Sequence, residues 1–351
     1  MGLLATTTTT IAALTGTAAF FMRKRISAPW IDYTNRGPTN LNDKVIIITG
    51  ANVGLGFESA KDFARRNGTV ILACRNTSEG QKAAETITKS TGNTNVECME
   101  CDLASLDSVN DFSAKVMERY PSIYALVCNA GVCTPTEKEG ETNLKTKDGF
   151  EIHFGVNHLG PFFLANRIMA HNVQQKTSDE LRIVWVSSSL MKSGKIDLKK
   201  RDFVYDGRKP EEDKEKGYSF MPLSYMDSKL MNGVTCRHLA KRIQEKGATY
   251  SHITTYAVSP GFCRSSLGRN VHLPLYRKVL AVPIMLLIQR TSIQGAQNII
   301  FATLEDKSQL KSGHVYCDGK EVEGMNQQVD GLGDDFSKQF WELSEKLLEK
   351  W

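Results

Sequence analysis

The chain has 351 residues with a formal net charge of +5, and 41% of its residues are hydrophobic and 24% charged. These proportions are ordinary for globular proteins, so a large core can form. The positive charge is mild and spread out, without a basic stripe interleaved with aromatics, which excludes a nucleic-acid partner from our expectations. Eight cysteines in so long a chain do not predict a disulfide scaffold. Cys98 and Cys101 have C-x-x-C spacing but no second pair at a zinc-like interval, so we predict no metal site.

The first 25 residues have the pattern of a membrane anchor. Residues 2–22 carry no charge, and Arg23, Lys24 and Arg25 follow at once. About 20 residues suffice to span a bilayer, although five consecutive threonines weaken this span. Because the basic cluster lies after the apolar run, the pattern favours a retained anchor with the rest of the chain in the cytosol. A cleaved signal peptide or an organelle presequence is the alternative.

The rest of the chain divides into a linker, one domain and a tail. Residues 26–42 indicate a linker because Pro, Gly, Asn and Asp are frequent and no hydrophobic period holds. From 43 to 320, strand and helix patterns alternate, as in an α/β fold with a doubly wound parallel sheet. The tail, 321–351, has periodic apolar residues that predict a packing helix. The predicted strands are 45–48, 70–73, 96–99, 123–127, 183–186, 253–258 and 314–316.

A glycine-rich turn follows the first predicted strand. Gly50, Gly54 and Gly56 form a G-x-x-x-G-x-G pattern that leads into a helical period. Glycines at such a turn let backbone N–H groups approach a pyrophosphate, and the helix N-terminus adds partial positive charge. For the glycines alone an ordinary tight turn is the alternative, but the βαβ context favours a cofactor site. The other residues of the turn that we assign to this site are Asn52, Val53 and Leu55.

Further candidates lie at the ends of the next three strands. In NAD-binding folds an acidic residue after the second strand binds the ribose 2′-OH, whereas an arginine there suits a 2′-phosphate. Arg75 is permanently charged and planar, so it favours NADP(H) over NAD(H); the alternative is a surface arginine. Ligands collect at the carboxyl ends of parallel strands. The next two strand ends add Asp102 and Leu103 for the adenine and Asn129, Ala130 and Gly131 for the cofactor edge.

The fifth strand and the helix after it carry the candidate reaction chemistry. The strand ends in three serines, 187–189, which alone indicate only a turn or a helix cap. Tyr225 and Lys229 lie four residues apart and therefore share one helix face. An ammonium beside a phenol lowers the pKa of the phenol, which yields a proton donor for carbonyl–alcohol interconversion. Y-x-x-x-K is common by chance, but its place after the glycine turn and the serines makes it informative.

Taken in order, these motifs resemble the short-chain dehydrogenase/reductase family and its retinol-dehydrogenase-like branch. The resemblance covers about residues 43–351 and implies a Rossmann-type sheet of about seven strands, NADP(H), a homodimer formed through paired helices, and the endoplasmic reticulum membrane, with a mitochondrial membrane as the alternative. The matching segments are TGANVGLG (49–56), ACR (73–75), CDLASL (101–106), CNAG (128–131), FGVNHLGPFFL (154–164), RIVWVSSS (182–189), YMDSK (225–229) and SPGFCRSSL (259–267).

The resemblance also implies roles for individual residues. Tyr225 is the expected general acid and base, and Lys229 holds the nicotinamide ribose and tunes Tyr225. Ser188 hydrogen-bonds the substrate oxygen, with either neighbouring serine as the alternative, and Asn157 holds a water in a proton relay. Pro161, where relatives often have His, predicts a kink in its helix. The residues that border the nicotinamide amide are Pro260, Gly261 and Ser265.

The region after Gly261 is the one that this family uses for substrate. Between 271 and 288 nearly every residue is apolar except Arg277 and Lys278. Pro274, Pro283 and the interior charges make this a poor transmembrane helix. We therefore predict a lid over 261–290 for a lipophilic substrate that dips into the membrane surface, with a buried dimer or core helix as the alternative.

The sequence as a whole predicts a membrane-anchored NADP(H)-dependent oxidoreductase. By resemblance its substrate pair is retinal and retinol, followed by long-chain aldehydes, polyprenoids or steroids. A non-catalytic NADP(H)-binding scaffold or sensor at a membrane is the alternative. The complete set of Asn157, Ser188, Tyr225 and Lys229 argues against that alternative.

Overall fold

A computed structural model describes residues 30–134, 145–175, 179–198, 222–263 and 289–351. Its strands form one sheet in the order β3-β2-β1-β4-β5-β6-β7-β8, parallel except for the antiparallel pair β7 and β8. The strands are β1 (Val45–Thr49), β2 (Thr69–Cys74), β3 (Val96–Glu100), β4 (Ala125–Cys128), β5 (Leu181–Val186), β6 (Ile253–Val258), β7 (Val315–Cys317) and β8 (Lys320–Glu321).

Helices cover both faces of this sheet and bury a separate hydrophobic core on each side. Several begin at residues whose side chains accept a hydrogen bond from the first turn, as Asn76, Ser105 and Thr291 do. The helices are α1 (Gly54–Arg65), α2 (Thr77–Thr91), α3 (Leu106–Arg119), α4 (Ile152–Phe154, a π-helical turn Gly155–Leu159, and Gly160–Gln174), α5 (Leu223–Glu245), α6 (Ser292–Leu304), α7 (Glu323–Asp330) and α8 (Asp334–Leu347).

The predicted α/β class and all seven predicted strands are confirmed, and the structure adds an eighth strand. β8 has two residues and follows β7 through a turn in which Asp318 and Gly319 have positive φ. A strand this short shows no period in the sequence, which is why the pattern did not predict it.

The described part of the predicted linker packs onto the domain. Tyr33 is fully buried and Leu41 is 2% exposed. Arg66, at the end of α1, donates hydrogen bonds to the carbonyl oxygens of Tyr33 and Pro38 among others. Irregular backbone with few apolar residues resembles a linker in sequence, but here a buried guanidinium satisfies its carbonyl groups.

The tail contains two helices, α7 and α8, where the sequence predicts one. Gly333, with a φ of +82°, precedes α8. Phe340 and Trp341 of α8 are buried against the core beside α4 and α5. Within the described ranges no helix combines the length and apolarity needed to cross a membrane. The predicted anchor (1–25), most of the predicted lid and Ser265 lie outside the described residues.

Candidate active site

The predicted motifs lie along the carboxyl edge of the sheet, where the parallel strands β1 to β6 end together. The strand order changes direction between β1 and β4, which is the crevice where open α/β sheets bind ligands. Asn129 joins the two strand ends. Its side-chain Nδ2 donates to the carbonyl oxygen of Thr49 (2.9 Å), and its backbone N–H donates to the hydroxyl of Thr49 (3.0 Å).

The glycine turn lies at the mouth of this crevice. A Cβ atom at Gly56 would lie 2.5 Å from Nδ2 of Asn129 and 2.8 Å from the carbonyl oxygen of Gly50, so no larger residue fits. The N-cap of α1 is Val53, which makes no side-chain cap, and the first turn of α1 contains no acidic residue. The first N–H groups of α1 therefore remain available for an anion.

The residues predicted to bind the adenosine half lie after β2 and β3. Arg75 is exposed and makes no hydrogen bond or ion pair with any other described residue. Asp102 accepts a hydrogen bond from the backbone N–H of Ala104 (3.1 Å), and its other oxygen lies 3.1 Å from the ammonium of Lys147. Within the part of the chain that the structure describes, the guanidinium of Arg75 thus has the free donors that a 2′-phosphate would require.

Tyr225 and Lys229 lie in the first two turns of α5 and are each 4% exposed. The ammonium of Lys229 donates to the carbonyl oxygen of Val186 (2.9 Å), at the end of β5, and lies 5.5 Å from the centre of the Tyr225 ring. Burial lowers the pKa of Lys229 to about 8.

Burial, together with the nearby thiol of Cys133, raises the pKa of Tyr225 above its ordinary value. The structure therefore does not meet the prediction that Lys229 lowers the pKa of Tyr225. The ammonium lies 5.5 Å from the centre of the ring, and the loss of hydration of the phenolate on burial is the largest cause of the raised pKa.

Asn157 connects α5 to the turn after β4. Its side-chain oxygen accepts from the backbone N–H of Val132 (2.7 Å), and its Nδ2 donates to the carbonyl oxygen of Val132 (3.0 Å) and to the hydroxyl of Ser228 (3.0 Å). Ser228 in turn donates to the carbonyl oxygen of Tyr225 (2.7 Å). Pro161 has no N–H, so it cannot make the usual helical hydrogen bond to the carbonyl oxygen of Asn157.

Gly131 lies between the two groups of predicted residues. A Cβ atom at Gly131 would lie 3.2 Å from Oδ1 of Asn157 and 3.5 Å from Nζ of Lys229. The turn after β4, predicted to border a cofactor, therefore meets two of the side chains predicted to be catalytic, Asn157 and Lys229.

The three serines after β5 have different surroundings. Ser187 is buried, and its hydroxyl donates to the carbonyl oxygen of Lys229 (2.7 Å). Ser188 is half-buried, and its oxygen accepts from the backbone N–H of Leu190 (3.3 Å), which leaves the hydroxyl proton free to be donated. Ser189 is exposed. Of the three, Ser188 has the geometry that best suits hydrogen bonding to a substrate oxygen.

Comparisons with known proteins agree with this geometry. A family model described as short chain dehydrogenase matches residues 44–198. Human retinol dehydrogenase 14 is 31% identical over 360 aligned residues, which cover 98% of this chain and 98% of that protein. Human retinol dehydrogenase 12 is 35% identical over 287 residues, which cover 82% of this chain and 81% of that protein.

Among solved structures, the crystal structure of an uncharacterised protein from Mycobacterium paratuberculosis has a TM-score of 0.63 and 27% identity, and the match covers 91% of this chain and 97% of that one. The chain belongs to the short-chain dehydrogenase/reductase family, in its retinol-dehydrogenase-like branch.

In this short-chain dehydrogenase, a buried polar cluster behind Tyr225 escaped the sequence analysis. His153 is fully buried, and its Nε2 accepts from the backbone N–H of Thr134 (3.1 Å). Its Nδ1 therefore carries the proton, 2.7 Å from a carboxylate oxygen of Glu151 and 3.0 Å from the hydroxyl of Ser224. The imidazole meets the Tyr225 ring edge-on, with 6.3 Å between ring centres. A lone histidine in an apolar stretch gives no sequence signal for this position.

Pro260 and Gly261 directly follow β6, next to the serines after β5. Gly261 has a φ of +80° and lies against the guanidinium of Arg290. The described residues thus bring together the predicted site residues of this short-chain dehydrogenase along one edge of the sheet. Arg290 was not predicted.

Proposed function

We propose that this short-chain dehydrogenase is an NADP(H)-dependent oxidoreductase that interconverts a lipophilic carbonyl compound and its alcohol. The observation that carries the proposal is the meeting of Lys229 and Asn157 at Gly131. The Tyr225 ring lies beside Lys229, and Ser188 lies at the adjacent strand end. The names of the human relatives support retinal and retinol as the first substrate pair to test. Long-chain aldehydes, polyprenoids and steroids are the other candidates.

The fit of NADP(H) is supported by two features of the cofactor crevice. The uncapped N-terminus of α1 suits the pyrophosphate, and the guanidinium of Arg75, which has no partner among the described residues, suits the 2′-phosphate. We assign the adenine to Asp102 and Leu103 and the nicotinamide ribose to Lys229. When bound, the nicotinamide supplies or receives the hydride.

The protein's own groups handle the proton. In reduction, the Tyr225 hydroxyl donates its proton to the carbonyl oxygen of the substrate, while the Ser188 hydroxyl donates a hydrogen bond to the same oxygen. The raised pKa of Tyr225 keeps the phenol protonated at neutral pH, so its proton is present for donation to the carbonyl oxygen. The backbone carbonyl oxygen of Asn157 receives no hydrogen bond from Pro161, which has no N–H. This oxygen is therefore available to hold a water that returns the proton.

Membrane attachment and assembly complete the proposal. We assign residues 1–25 as an anchor in the endoplasmic reticulum membrane, with the folded domain on the cytosolic side and a mitochondrial membrane as the alternative. Deletion of these residues should release the protein from carbonate-washed membranes. Retention of the truncated protein on membranes would contradict the assignment. We also propose that the protein forms a homodimer, which sedimentation equilibrium in detergent would test.

The direct test is a substrate panel with NADPH consumption as the readout. Purified protein should oxidise NADPH in the presence of retinal, a long-chain aldehyde or a steroid ketone. A non-catalytic scaffold or sensor would bind NADPH, seen as enhanced nucleotide fluorescence, without turnover on any of them. Absence of NADPH binding would contradict both functions.

The preference for NADP(H) has its own test at Arg75. We expect Arg75→Ala to lower the preference for NADPH over NADH about tenfold to a hundredfold, because charge-assisted hydrogen bonds to the 2′-phosphate are lost. The matched control is Arg119→Ala, at an exposed arginine at the end of α3 that pairs with Glu97. An unchanged ratio of kcat/KM for the two cofactors in Arg75→Ala would refute this role.

A further inference from the structure

An ion pair between a buried arginine, Arg290, and a half-buried aspartate, Asp318, lies directly behind the turn that follows β6. We propose that Arg290 and Asp318 are positioning residues that hold the backbone of Pro260 and Gly261, and with it the nicotinamide half of the cofactor site. This inference rests on the proposed function. It assigns a role to two residues that the motif analysis did not identify.

The pair has the geometry of a rigid clamp. Nη1 and Nη2 of Arg290 each donate to a different carboxylate oxygen of Asp318, both at 2.7 Å. Arg290 is 7% exposed. A bidentate pair of this kind fixes the plane of the guanidinium as well as its position. Because exposed and buried ion pairs alike add little net stability, stability alone does not explain this half-buried one.

Arg290 contacts the turn at several points. Its Nη1 also donates to the carbonyl oxygen of Pro260 (3.4 Å), and its backbone N–H donates to the carbonyl oxygen of Phe262 (2.8 Å). A Cβ atom at Gly261 would lie 2.7 Å from Nη1 and 2.9 Å from Cζ of Arg290. The guanidinium therefore packs against the bare backbone of Gly261, and its plane limits where that backbone can lie.

Asp318 is itself held by two neighbouring elements. It lies in the turn between β7 and β8, and its backbone N–H donates to the side-chain oxygen of Asn298 (2.5 Å), a buried residue of α6. α6 begins just after Arg290, with a capping box between Thr291 and Gln294. Through Arg290 and Asp318, the turn after β6 is thus fixed to the sheet edge and to α6.

The strand order decides which half of the cofactor the clamp can affect. Arg75 follows β2, on one side of the crevice between β1 and β4, whereas Pro260 follows β6, on the other side. Ser188 follows β5, between the crevice and β6. A shift of the turn after β6 should therefore disturb the nicotinamide and the reacting atoms, while the adenosine end stays unchanged.

The test compares two ligands on matched variants of the full chain. Adenosine 2′,5′-bisphosphate carries only the adenosine half, whereas NADPH carries both halves. In Arg290→Lys we expect NADPH to bind about tenfold more weakly and kcat to fall about tenfold to a hundredfold, since small misplacements of the reacting groups are costly. Binding of adenosine 2′,5′-bisphosphate should change by less than about twofold, because the adenosine end keeps its contacts.

Three further variants make the result decisive. Arg66→Lys alters another buried arginine–aspartate pair at the far end of α1 and should leave both affinities unchanged. Asp318→Asn keeps the size of the side chain and should reproduce the effects of Arg290→Lys if the latter fails to fold. The double variant Arg290→Lys/Asp318→Glu lengthens the carboxylate side chain to meet the lysine ammonium and should recover part of kcat.

Equal weakening of both ligands in Arg290→Lys and Asp318→Asn, or unchanged NADPH binding and kcat, would overturn the positioning role. Wild-type protein that binds neither ligand would instead contradict the proposed function, and that result appears before any variant is made.

Discussion

Arg66 and Lys229 are each 4% exposed, so both are buried cations, but they lie in different regions of the protein. Arg66 lies where α1 meets the N-terminal stretch. Its Nε donates to Asp62 (2.6 Å), and its other nitrogens donate to four backbone carbonyl oxygens between residues 33 and 38. Lys229 lies in the candidate active site, and within the described part of the chain its ammonium donates one hydrogen bond, to Val186.

Arg66 therefore has a structural role, whereas Lys229 keeps hydrogen-bond donors that a ligand can use. A guanidinium with every donor engaged cannot bind anything else without breaking the fold. An ammonium has three donors, so Lys229 retains donors for ribose hydroxyl groups. The cost of that incomplete pairing is visible in the lowered pKa of Lys229, because burial without sufficient partners disfavours the charged form. Three predictions test this comparison, in order of decreasing effect.

The largest effect on stability is expected at Arg66, whose guanidinium donors are all engaged. Arg66→Met should lower the free energy of unfolding by about 3 kcal/mol, because the buried Asp62 and the carbonyl groups of the N-terminal stretch lose their partner. Turnover per folded molecule should not change, since this pair lies at the end of α1 away from the site. Urea unfolding and kcat measure the two properties. A large loss of kcat with unchanged stability would contradict the comparison.

An intermediate effect is expected at His158, a third buried titratable group. Its Nε2 lies 3.1 Å from the hydroxyl of Ser344 and its Nδ1 has no partner among the described residues. Burial lowers the pKa of His158 to about 3. Between that value and the ordinary pKa near 6.5 the unfolded chain binds more protons, so stability falls as the pH falls.

Protonation of His158 in the unfolded chain should by itself lower the free energy of unfolding of the wild type by about 2 kcal/mol between pH 7.5 and pH 5. His158→Gln should remove that part of the pH dependence, as measured by urea unfolding at the two pH values. The same loss in both proteins would show that His158 is not responsible.

The smallest effect is expected in the stability of Lys229→Met. The folded pKa of about 8 lies below the unfolded value of 10.5, so the unfolded state binds more protons between them. Burial of the ammonium therefore destabilises the fold at neutral pH, and the wild type should gain stability as the pH rises from 8 to 10.5.

After allowance for the lost hydrogen bond to Val186, we expect Lys229→Met to be more stable at pH 7 by about 1 kcal/mol and to lose this rise with pH. Thermal unfolding across this pH range measures both. A less stable variant would show that Lys229 contributes to structure as Arg66 does.

The sequence was sufficient to predict the seven parallel strands and the residues that follow them, although not β8 or the division of the tail into α7 and α8. Apolar runs mark buried strands because both faces of a parallel sheet are covered, and the chain order of such strands fixes which edge their ends share. The prediction of a site that includes Gly56, Asn129 and Tyr225 therefore needed no coordinates.

What the sequence did not show depends on contacts between distant residues. Arg290 and Asp318 lie 28 residues apart without any periodic relation. The packing of Tyr33 and Leu41 depends on Arg66, whose role no local pattern indicates. The sequence also predicted a lowered pKa for Tyr225 from its spacing to Lys229. The direction of that pKa shift depends on how deeply Tyr225 is buried, which only the fold determines.

The proposed mechanism depends above all on the hydroxyl of Tyr225 as the proton donor in carbonyl reduction. Tyr225→Phe keeps the ring that packs against His153 and removes only that hydroxyl. The measurement is NADPH oxidation with a lipophilic aldehyde, together with NADPH binding by fluorescence. We predict that kcat falls about a thousandfold while the Kd for NADPH changes by less than about twofold. Turnover near that of the wild type, with the cofactor bound, would contradict the claim.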